Sequence, residues 1–403
     1  LPDAAIEPNG TAPAFADAVA ARAWLDAERA NLVAVVTHAA EHGPRSLAWT
    51  FSDALRGYFH QRMWTVDWLA VARLGRAAAE RDGQARAQAA AELSLGDLHW
   101  RLSRYPESIE HYLRAADLAD RAGWPQGRGA VLGNLGNVYQ QSGRLDEAAD
   151  CYRAALDLAD QIGWVIGQAA NLENLGAVCW ESGRLDDAYG YERRAVEICL
   201  AAGFRFAQGV ALTNLGEVCH ALGRLDEAAE HLAVALALHR EVGNRGGEAE
   251  TFRVQALVAR DGGDLAQARE LVETALAMTR AAGDRRYEAD ALNTLGTIRY
   301  ALGDRAGALA DHRAALALSQ EIGNRYPEVE AQLGIARTER DAGRLDTARE
   351  AMRDGLVMAG NVGYRRLEDA ARELLADLDS AAPDHQHGRV DLRRRPERAA
   401  RQG

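Results

Sequence analysis

Residues 126–163 read QGRGAVLGNLGNVYQQSGRLDEAADCYRAALDLADQIG, and this stretch decides the fold. Its first half places Val131 and Leu135 on one face of a helix. Its second half begins with acidic residues, among them Asp146, which favour the positive end of a helix. Each half ends at a glycine, which adopts the left-handed conformation of a helix end without steric penalty. The stretch therefore predicts a helical hairpin.

The two glycines that end these helices recur every 40 residues along the chain. The first column contains Gly83, Gly123, Gly163, Gly203, Gly243, Gly283, Gly323 and Gly363. The second contains Gly143, Gly183, Gly223, Gly263, Gly303 and Gly343, with Ser103 as its one departure. A fixed period of this length is typical of proteins in which each unit buries its apolar face by stacking on its neighbours. We therefore predict an all-α, right-handed superhelix of seven to eight helical hairpins.

Small residues also recur at fixed points inside the hairpins. The first column, preceded by leucine in most units, is Gly96, Gly136, Gly176, Gly216, Ala256, Gly296 and Ala336. The two columns that follow it are Ser108, Ala148, Ala188, Ala228, Ala268, Ala308, Ala348 and Ala115, Ala155, Ala195, Ala235, Ala275, Ala315, Gly355. An interior glycine costs a helix about 1 kcal/mol relative to alanine. Its recurrence therefore predicts the close approach of two helix backbones.

This pattern of Leu-Gly followed by spaced alanines resembles the tetratricopeptide repeat. The 40-residue period is similar to the longer variety found in peptide-binding regulators. The chain carries leucine or phenylalanine, as at Leu132 and Phe252, where the shorter variety often has tryptophan, and it lacks that variety's terminal proline. Both departures match the long variety. Seven units are clear from about residue 85 to residue 379, and an eighth, degenerate unit is expected over residues 44–84.

The remaining segments complete the predicted domain organisation. Residues 1–14 are expected to be a linker, 15–43 an N-terminal helical cap, 44–380 the repeat domain and 381–403 a disordered basic tail. From residue 388 onward the tail carries six arginines against two acidic residues, and a binding arm is the competing interpretation. Since the chain begins with leucine rather than methionine, we expect a piece of a longer protein.

The stretch AWLDAERANL, residues 23–32, resembles the segment that joins a nucleotide-binding switch module to its repeats in actinobacterial regulators of the SARP/AfsR type. That resemblance implies the sensing or autoregulatory part of a transcriptional activator of antibiotic biosynthesis. The activator and ATPase modules of that family lie upstream, so neither activity is assigned to these residues.

Composition excludes several kinds of chemistry. All 47 basic residues are arginine, so neither a Schiff-base lysine nor a phosphate-loop lysine exists in the sequence. The 11 histidines and four cysteines form no catalytic or metal-binding spacing, and we expect no enzyme, metal or cofactor. A net charge of −12 argues against direct nucleic-acid binding by the repeats. No apolar run is long enough to span a membrane, and a cytoplasmic location is expected.

The first helix of each hairpin is expected to line a concave groove that binds a protein or peptide. The side chains predicted to face it are Asn134, Asn137, Glu173, Asn174, Trp180, Asn214, Glu217, Arg253, Asn293, Tyr300 and Arg337. Three of the asparagines (Asn134, Asn174 and Asn214) recur at one position of successive units. In the long repeats that this chain resembles, such asparagines hold the backbone of an extended peptide. They are equally compatible with a structural ladder, in which each amide bonds to the neighbouring repeat.

Arg253 and the role of the whole chain each admit more than one interpretation. Arg253 is either a contact for an anionic ligand group or ordinary sequence drift on a solvated face. The groove is expected to bind a segment of the same polypeptide or of a partner, with occupancy changing how the upstream modules are held. The same repeats would also suit a free-standing receptor for a signalling peptide, a scaffold protein or a small-molecule sensor.

Overall fold

The computed structural model describes residue 15 and residues 18–380, and every element in that part of the chain is helical. The helices are α1 Ala18–His42, α2 Arg45–Arg62, α3 Thr65–Arg81, α4 Ala85–Arg101, α5 Tyr105–Arg121, α6 Pro125–Gln141, α7 Leu145–Ile162, α8 Val165–Glu181, α9 Leu185–Ala202, α10 Arg205–Ala221, α11 Leu225–Val242, α12 Arg245–Asp261, α13 Leu265–Ala282, α14 Arg285–Ala301, α15 Arg305–Ile322, α16 Arg325–Asp341, α17 Leu345–Val362 and α18 Arg365–Ser380. None of these helices is both long and apolar enough to cross a membrane. The linker and tail predicted at residues 1–14 and 381–403 lie outside the described residues.

The helices pair in sequence into hairpins, from α2/α3 to α16/α17, and each hairpin packs on the next. Helix α1 packs against α2 and α3, while α18 packs against α17 and α16. The predicted all-α superhelix of hairpins is therefore confirmed, including the degenerate unit, whose second helix buries Trp68. The indole of Trp68 donates a hydrogen bond of 2.8 Å to Ser94 Oγ on α4, which joins this unit to the next hairpin.

The glycine columns end the helices as predicted. Each of these glycines has a positive φ, and the one departure, Ser103, adopts the same conformation with φ of 56°. An L-residue other than glycine, asparagine or aspartate rarely adopts this conformation, because its Cβ approaches the neighbouring carbonyl. The repeat therefore places a left-handed residue at each of these helix ends, and the chain keeps this conformation at Ser103, where the glycine is absent.

Replacing Ser103 with glycine is expected to stabilise the protein by roughly 0.5–1 kcal/mol, since relief of the left-handed strain exceeds the added entropy of the unfolded chain. Urea unfolding followed by circular dichroism measures the change. The reciprocal control is Gly223→Ser in the same column, where φ is +75° and an added Cβ meets nothing within 4 Å. That variant should lose a similar amount. Equal stability of Ser103→Gly and the wild-type protein would contradict the strain argument.

The interior glycines have a different reason from the expected one. A Cβ added at Gly136 would lie 2.5 Å from the ring of Tyr152, which comes from the second helix of the same hairpin. Gly96 has the same relation to Tyr112, at 2.4 Å. Glycine at this position therefore accommodates a large side chain of the opposite helix, whereas we predicted an approach of the two backbones themselves.

The stack curves back so that its C-terminal helices contact its early repeats. One apolar cluster contains residues of α7 and α8 together with residues of α16, α17 and α18. At this contact, a Cβ on Gly143 would lie 2.7 Å from Val362, and Leu145 approaches Gly363. The concave side is therefore closed into a lumen rather than left as an open groove.

Candidate ligand-binding lumen

The lumen contains a cavity of about 290 Å³ that is lined by first helices of the hairpins from α8 to α16 and by α18, with His312 reaching it from α15. Its lining residues are Trp180, Glu217, His220, Arg253, Leu257, Arg260, Asn293, Thr294, Thr297, His312, Tyr326, Glu330, Leu333, Gly334, Arg337, Arg366, Leu367 and Ala370. Both charged and aromatic side chains contribute to this wall.

Helical periodicity explains which residues reach the lumen. On α12 the inner face includes Glu250, Arg253 and Leu257, which follow one another at steps of three and four residues. The 40-residue period repeats these levels on α14 and α16, so that each position forms a row across the wall. The chemistry of the lumen can therefore be compared row by row.

Arg253 lies at the centre of the charged wall. Its guanidinium donates to Glu217 and to Glu250 across distances of 2.5 Å, and the Arg253 side chain is only 11% exposed. A buried arginine paired with two carboxylates is neutralised by the protein itself. The structure thus gives Arg253 two internal partners, whereas the sequence left open an anionic ligand or drift.

One row is acidic in three successive repeats, namely Glu250, Asp290 and Glu330. Burial raises the pKa of Asp290, and burial together with the charge of Asp290 raises that of Glu330 to about 7, although Arg253 opposes both shifts. This row was not among the predicted contacts, although an acidic residue at the same position of three consecutive units is a signal visible in the sequence.

A second acidic group lies on α8 and α9. Glu173, Glu181 and Glu192 each have one buried carboxyl oxygen without a hydrogen-bond partner within the described protein. Burial raises the pKa of Glu173 and of Glu181 to about 7. Burial and the nearby Glu173 raise the pKa of Glu192 further above its usual range. These carboxyls can accept hydrogen bonds or a positive charge.

Two aromatic rings and one guanidinium group meet where the C-terminal helices contact the early repeats. The rings of Trp180 and Tyr326 have centroids 5.0 Å apart, and the guanidinium of Arg366 lies 4.7 Å from the Trp180 ring. Trp180 Nε1 and Arg366 Nη1 are buried without a hydrogen-bond partner within the described residues. Because an unpaired buried donor costs about 1–3 kcal/mol, these atoms are suited to an acceptor supplied by a ligand.

Of the predicted contact residues, five line the cavity, and they are Trp180, Glu217, Arg253, Asn293 and Arg337. Asn293 is already engaged, since its Nδ2 donates to the Pro327 carbonyl at 2.8 Å. Tyr326 and Arg366 were not predicted, because they reach the cavity only through the closure of the stack. The role of the predicted residues as ligand contacts stays a prediction.

The three recurring asparagines, Asn134, Asn174 and Asn214, differ in their contacts. Asn134 Nδ2 donates to Asp97 in the preceding hairpin at 2.9 Å, and Asn214 bonds to Glu192 of the preceding hairpin. Two of these amides therefore join adjacent repeats, as the ladder interpretation expects, and none of the three lines the cavity.

The other predicted residues bond within the stack. The hydroxyl of Tyr152 donates to Asn137 Oδ1 at 2.7 Å inside one hairpin. The hydroxyl of Tyr300 donates to Asp341 at 2.6 Å in the next hairpin. Equivalent bonds join Trp100 to Gln141 and Gln140 to Glu181, so this row links the ends of neighbouring first helices.

Comparison with known proteins identifies the class. One model of the tetratricopeptide repeat matches residues 87–161, 128–201, 165–241 and 207–281, and a second model of this repeat matches residues 289–322. Together these segments cover more than half of the chain, which therefore belongs to the tetratricopeptide-repeat family. No curated protein matches the sequence.

Several solved structures share the fold at low sequence identity. The quorum sensor NprR of B. thuringiensis, in its apo form, has a TM-score of 0.58 at 14% identity, over 84% of this chain and 96% of that one. The Rap conjugation regulator of plasmid pLS20, in complex with a Phr peptide, has a TM-score of 0.57 at 15% identity, over 84% and 98%. A signal-transduction ATPase with a tetratricopeptide-repeat sensor from Pyrococcus horikoshii has a TM-score of 0.53 at 14% identity, over 90% of this chain and 53% of that one.

Proposed function

We propose that this chain is a regulatory repeat domain whose lumen binds an extended peptide segment. The observation that carries the proposal is the set of unpartnered polar atoms on the lumen wall, above all Trp180 Nε1 and Arg366 Nη1. Buried polar atoms are normally satisfied within a folded protein. A peptide in the lumen supplies carbonyl acceptors for these two donors.

The row at the start of each first helix supports a peptide over a small polar molecule. Ile166 and Phe206 are 60% and 58% exposed, and they share this row with Tyr326 and Arg366 of the lumen. Exposed apolar side chains beside a polar wall provide anchors for alternate side chains of an extended ligand. A ligand of several residues can use both features at once.

The acidic row indicates the charge of the ligand. The charge of Asp290 affects Glu330, and Glu217 adds to the negative charge near both. Of the cations nearby, Arg253 is already paired with Glu217 and Glu250, Arg286 lies near Asp290, and Arg366 lies near Glu330. A cationic side chain would favour the ionised form of both carboxyls. The proposed ligand is therefore a peptide with at least one arginine, lysine or free amino group in the lumen.

The structural neighbours support a regulatory role. The Rap regulator binds a Phr peptide, NprR is a quorum sensor, and the archaeal ATPase uses its repeats as a sensor. The finer proposal is that this chain is the sensing part of an actinobacterial activator of secondary metabolism, located in the cytoplasm and without catalytic activity of its own. It follows from the resemblance of residues 23–32, and a phosphate-binding loop encoded upstream in the gene would support it.

Peptide binding is tested with an array of synthetic hexapeptides that contains basic and acidic members in equal number. We expect basic peptides to bind, and the double variant Asp290→Asn/Glu330→Gln to weaken them about tenfold, the equivalent of about 1.4 kcal/mol. Lowering the pH from about 8 to about 6 should also weaken binding, because protonation removes the negative charge of these groups.

The matched control is Glu273→Gln on α13, whose side chain is 47% exposed and which lies outside the lumen lining. It should leave the affinity unchanged. Equal binding of acidic and basic peptides would contradict the assigned charge. Retention of basic peptides by a Trp180→Ala/Arg366→Ala variant that still folds would contradict the lumen as the binding site.

A further inference from the structure

A group of metal-ligating side chains lies outside the lumen, at the turn between α10 and α11. Cys219 is near the end of α10, and Glu227 and His231 are one helical turn apart on α11. One ligand atom from each residue can be chosen so that all three lie within 4.8 Å of one another. Among the described residues, these are the only three histidine, cysteine or acidic side chains that converge so closely.

The hairpin holds these side chains without help from a ligand. Gly223, with φ of 75°, reverses the chain between the two helices. Cys219 is fully buried, whereas the Glu227 and His231 side chains are 33% and 28% exposed. The group therefore has a closed side at the thiol and an accessible side at the imidazole.

The orientation of Glu227 is determined by groups around it. The hydroxyl of Tyr189 donates to Glu227 Oε1 at 2.8 Å, and Arg224 Nη1 lies 3.7 Å from Glu227 Oε2. His231 Nε2 lies 3.7 Å from Glu227 Oε1. Metal sites in proteins usually have such outer partners, which orient the ligating carboxylate.

The donor set and one of the ligand separations fit zinc. Bonds from Zn²⁺ to sulfur, nitrogen and oxygen of about 2.0–2.3 Å place tetrahedral ligands about 3.3–3.8 Å apart. The pair His231–Glu227 already has this separation, at 3.7 Å. A thiolate, a carboxylate and a neutral imidazole together balance the charge of one Zn²⁺, and the thiol proton is released on binding.

The other repeats do not all carry metal-ligating residues at these three positions, so the fold itself does not require them. In the preceding hairpin the same positions carry Cys179, Asp187 and Tyr191, and the next hairpin has Ala259, Gln267 and Leu271. The α4/α5 hairpin again carries ligand types at these positions, namely His99, Glu107 and His111. There the two imidazole rings stack with centroids 5.1 Å apart, and His99 Nδ1 is buried without a hydrogen-bond partner in the described chain.

We propose that Cys219, Glu227 and His231 form a binding site for one Zn²⁺ ion, with a fourth position open to water or to a group of a partner. The bound ion would tie α10 to α11 within their hairpin. Sequence analysis found no paired-cysteine pattern and expected no metal. The spacing Cys-x7-Glu-x3-His became a site only when the hairpin brought the two helices together.

The test is a titration of the metal-free full chain, without a histidine tag, with Co²⁺. We expect one equivalent of Co²⁺ to produce a thiolate-to-cobalt charge-transfer band in the near ultraviolet, and one equivalent of Zn²⁺ to abolish it. Because the band requires a thiolate, binding by imidazoles alone, such as His99 and His111, does not produce it. Zn²⁺ should also raise the melting temperature of the chain.

Two variants remove single ligands, and one serves as control. Cys219→Ser should lose the band, and His231→Tyr, which introduces the residue found at position 191, should weaken Co²⁺ binding at least tenfold. Cys179→Ser is the matched control and should keep the band. If Cys219→Ser fails to fold, as judged by circular dichroism, His231→Tyr and Glu227→Gln decide the question. No band in the wild-type chain, or a band unaffected by His231→Tyr, would overturn the proposal.

Discussion

Replacing Glu192 with leucine is expected to raise the free energy of unfolding by about 2 kcal/mol at pH 8, since a buried carboxyl with one unpaired oxygen is generally less favourable than a well-packed apolar side chain. Glu192 is 1% exposed, and one of its carboxyl oxygens has no hydrogen-bond partner in the described chain. Tyr152 and Leu232 occupy the equivalent positions of the neighbouring hairpins. Leucine therefore has a precedent at this position.

The increase in the free energy of unfolding that Glu192→Leu produces should become smaller as the pH falls. Burial raises the pKa of Glu192 well above its ordinary value, so the folded chain holds a proton that the unfolded chain releases above its own pKa. Stability from this group is fully present below the unfolded pKa of about 4.3 and is lost as the pH rises through the folded pKa. At pH 5 the expected gain of Glu192→Leu is therefore below about 1 kcal/mol.

Urea unfolding of both proteins at several pH values measures this difference directly. Comparing variant with wild type removes the contribution of other titrating groups, such as the buried His312, whose pKa burial lowers to about 4. The control is Glu197→Leu on the same helix, whose side chain is 65% exposed, and it should show little change at any pH. A gain for Glu192→Leu that is equal at pH 5 and pH 8 would refute the assignment of a protonated buried carboxyl.

The second large effect is expected at Gly136. Its replacement by alanine should destabilise the protein by about 2 kcal/mol, because the added methyl group would lie 2.5 Å from the ring of the fully buried Tyr152. The ring is restrained by its hydroxyl, which donates to Asn137 Oδ1 at 2.7 Å and lies 3.0 Å from Gln140 Oε1. The steric cost exceeds the gain in helix propensity of about 1 kcal/mol.

A double-mutant cycle distinguishes this contact from a general effect of the substitution. In a Tyr152→Val background the same Gly136→Ala change should become stabilising, by up to about 1 kcal/mol, because only the helix-propensity term remains. The chain contains this combination naturally, since Ala256 and Val272 occupy these positions in the α12/α13 hairpin and belong to one buried cluster. Destabilisation by Gly136→Ala in both backgrounds would show that the tyrosine ring is not its cause.

Much of the fold could be predicted because the residues that determine each hairpin lie close together in the sequence and recur in every unit. Glycines at a constant interval predicted helix ends, and the structure has left-handed residues at every one of them, including Ser103. The interior glycines were recognised as close contacts, but their partner was misjudged. Tyr152 lies sixteen residues after Gly136, and only the packing of the hairpin shows that its ring occupies the space a side chain would fill.

The lumen was predicted less completely, for a physical reason. Residues such as Glu217 and Arg253 face inward because of helical periodicity, which can be read from one hairpin alone. The hydrogen-bond partners of these side chains cannot be read from one hairpin. Arg253 could bond to a ligand or to Glu217, and both arrangements fit the same helical periodicity. Tyr326 and Arg366 meet Trp180 only because small rotations between successive hairpins add up along the stack.

The sequence by itself determined the repeating unit, the number of hairpins and the helix ends. These properties depend on backbone conformation and on contacts within one or two units. Only the tertiary structure decided that the stack closes through Val362 and Gly143, and that Arg253 pairs with Glu217 and Glu250. It also decided that Cys219 meets His231. Such contacts depend on accumulated geometry, which no single period of the sequence records.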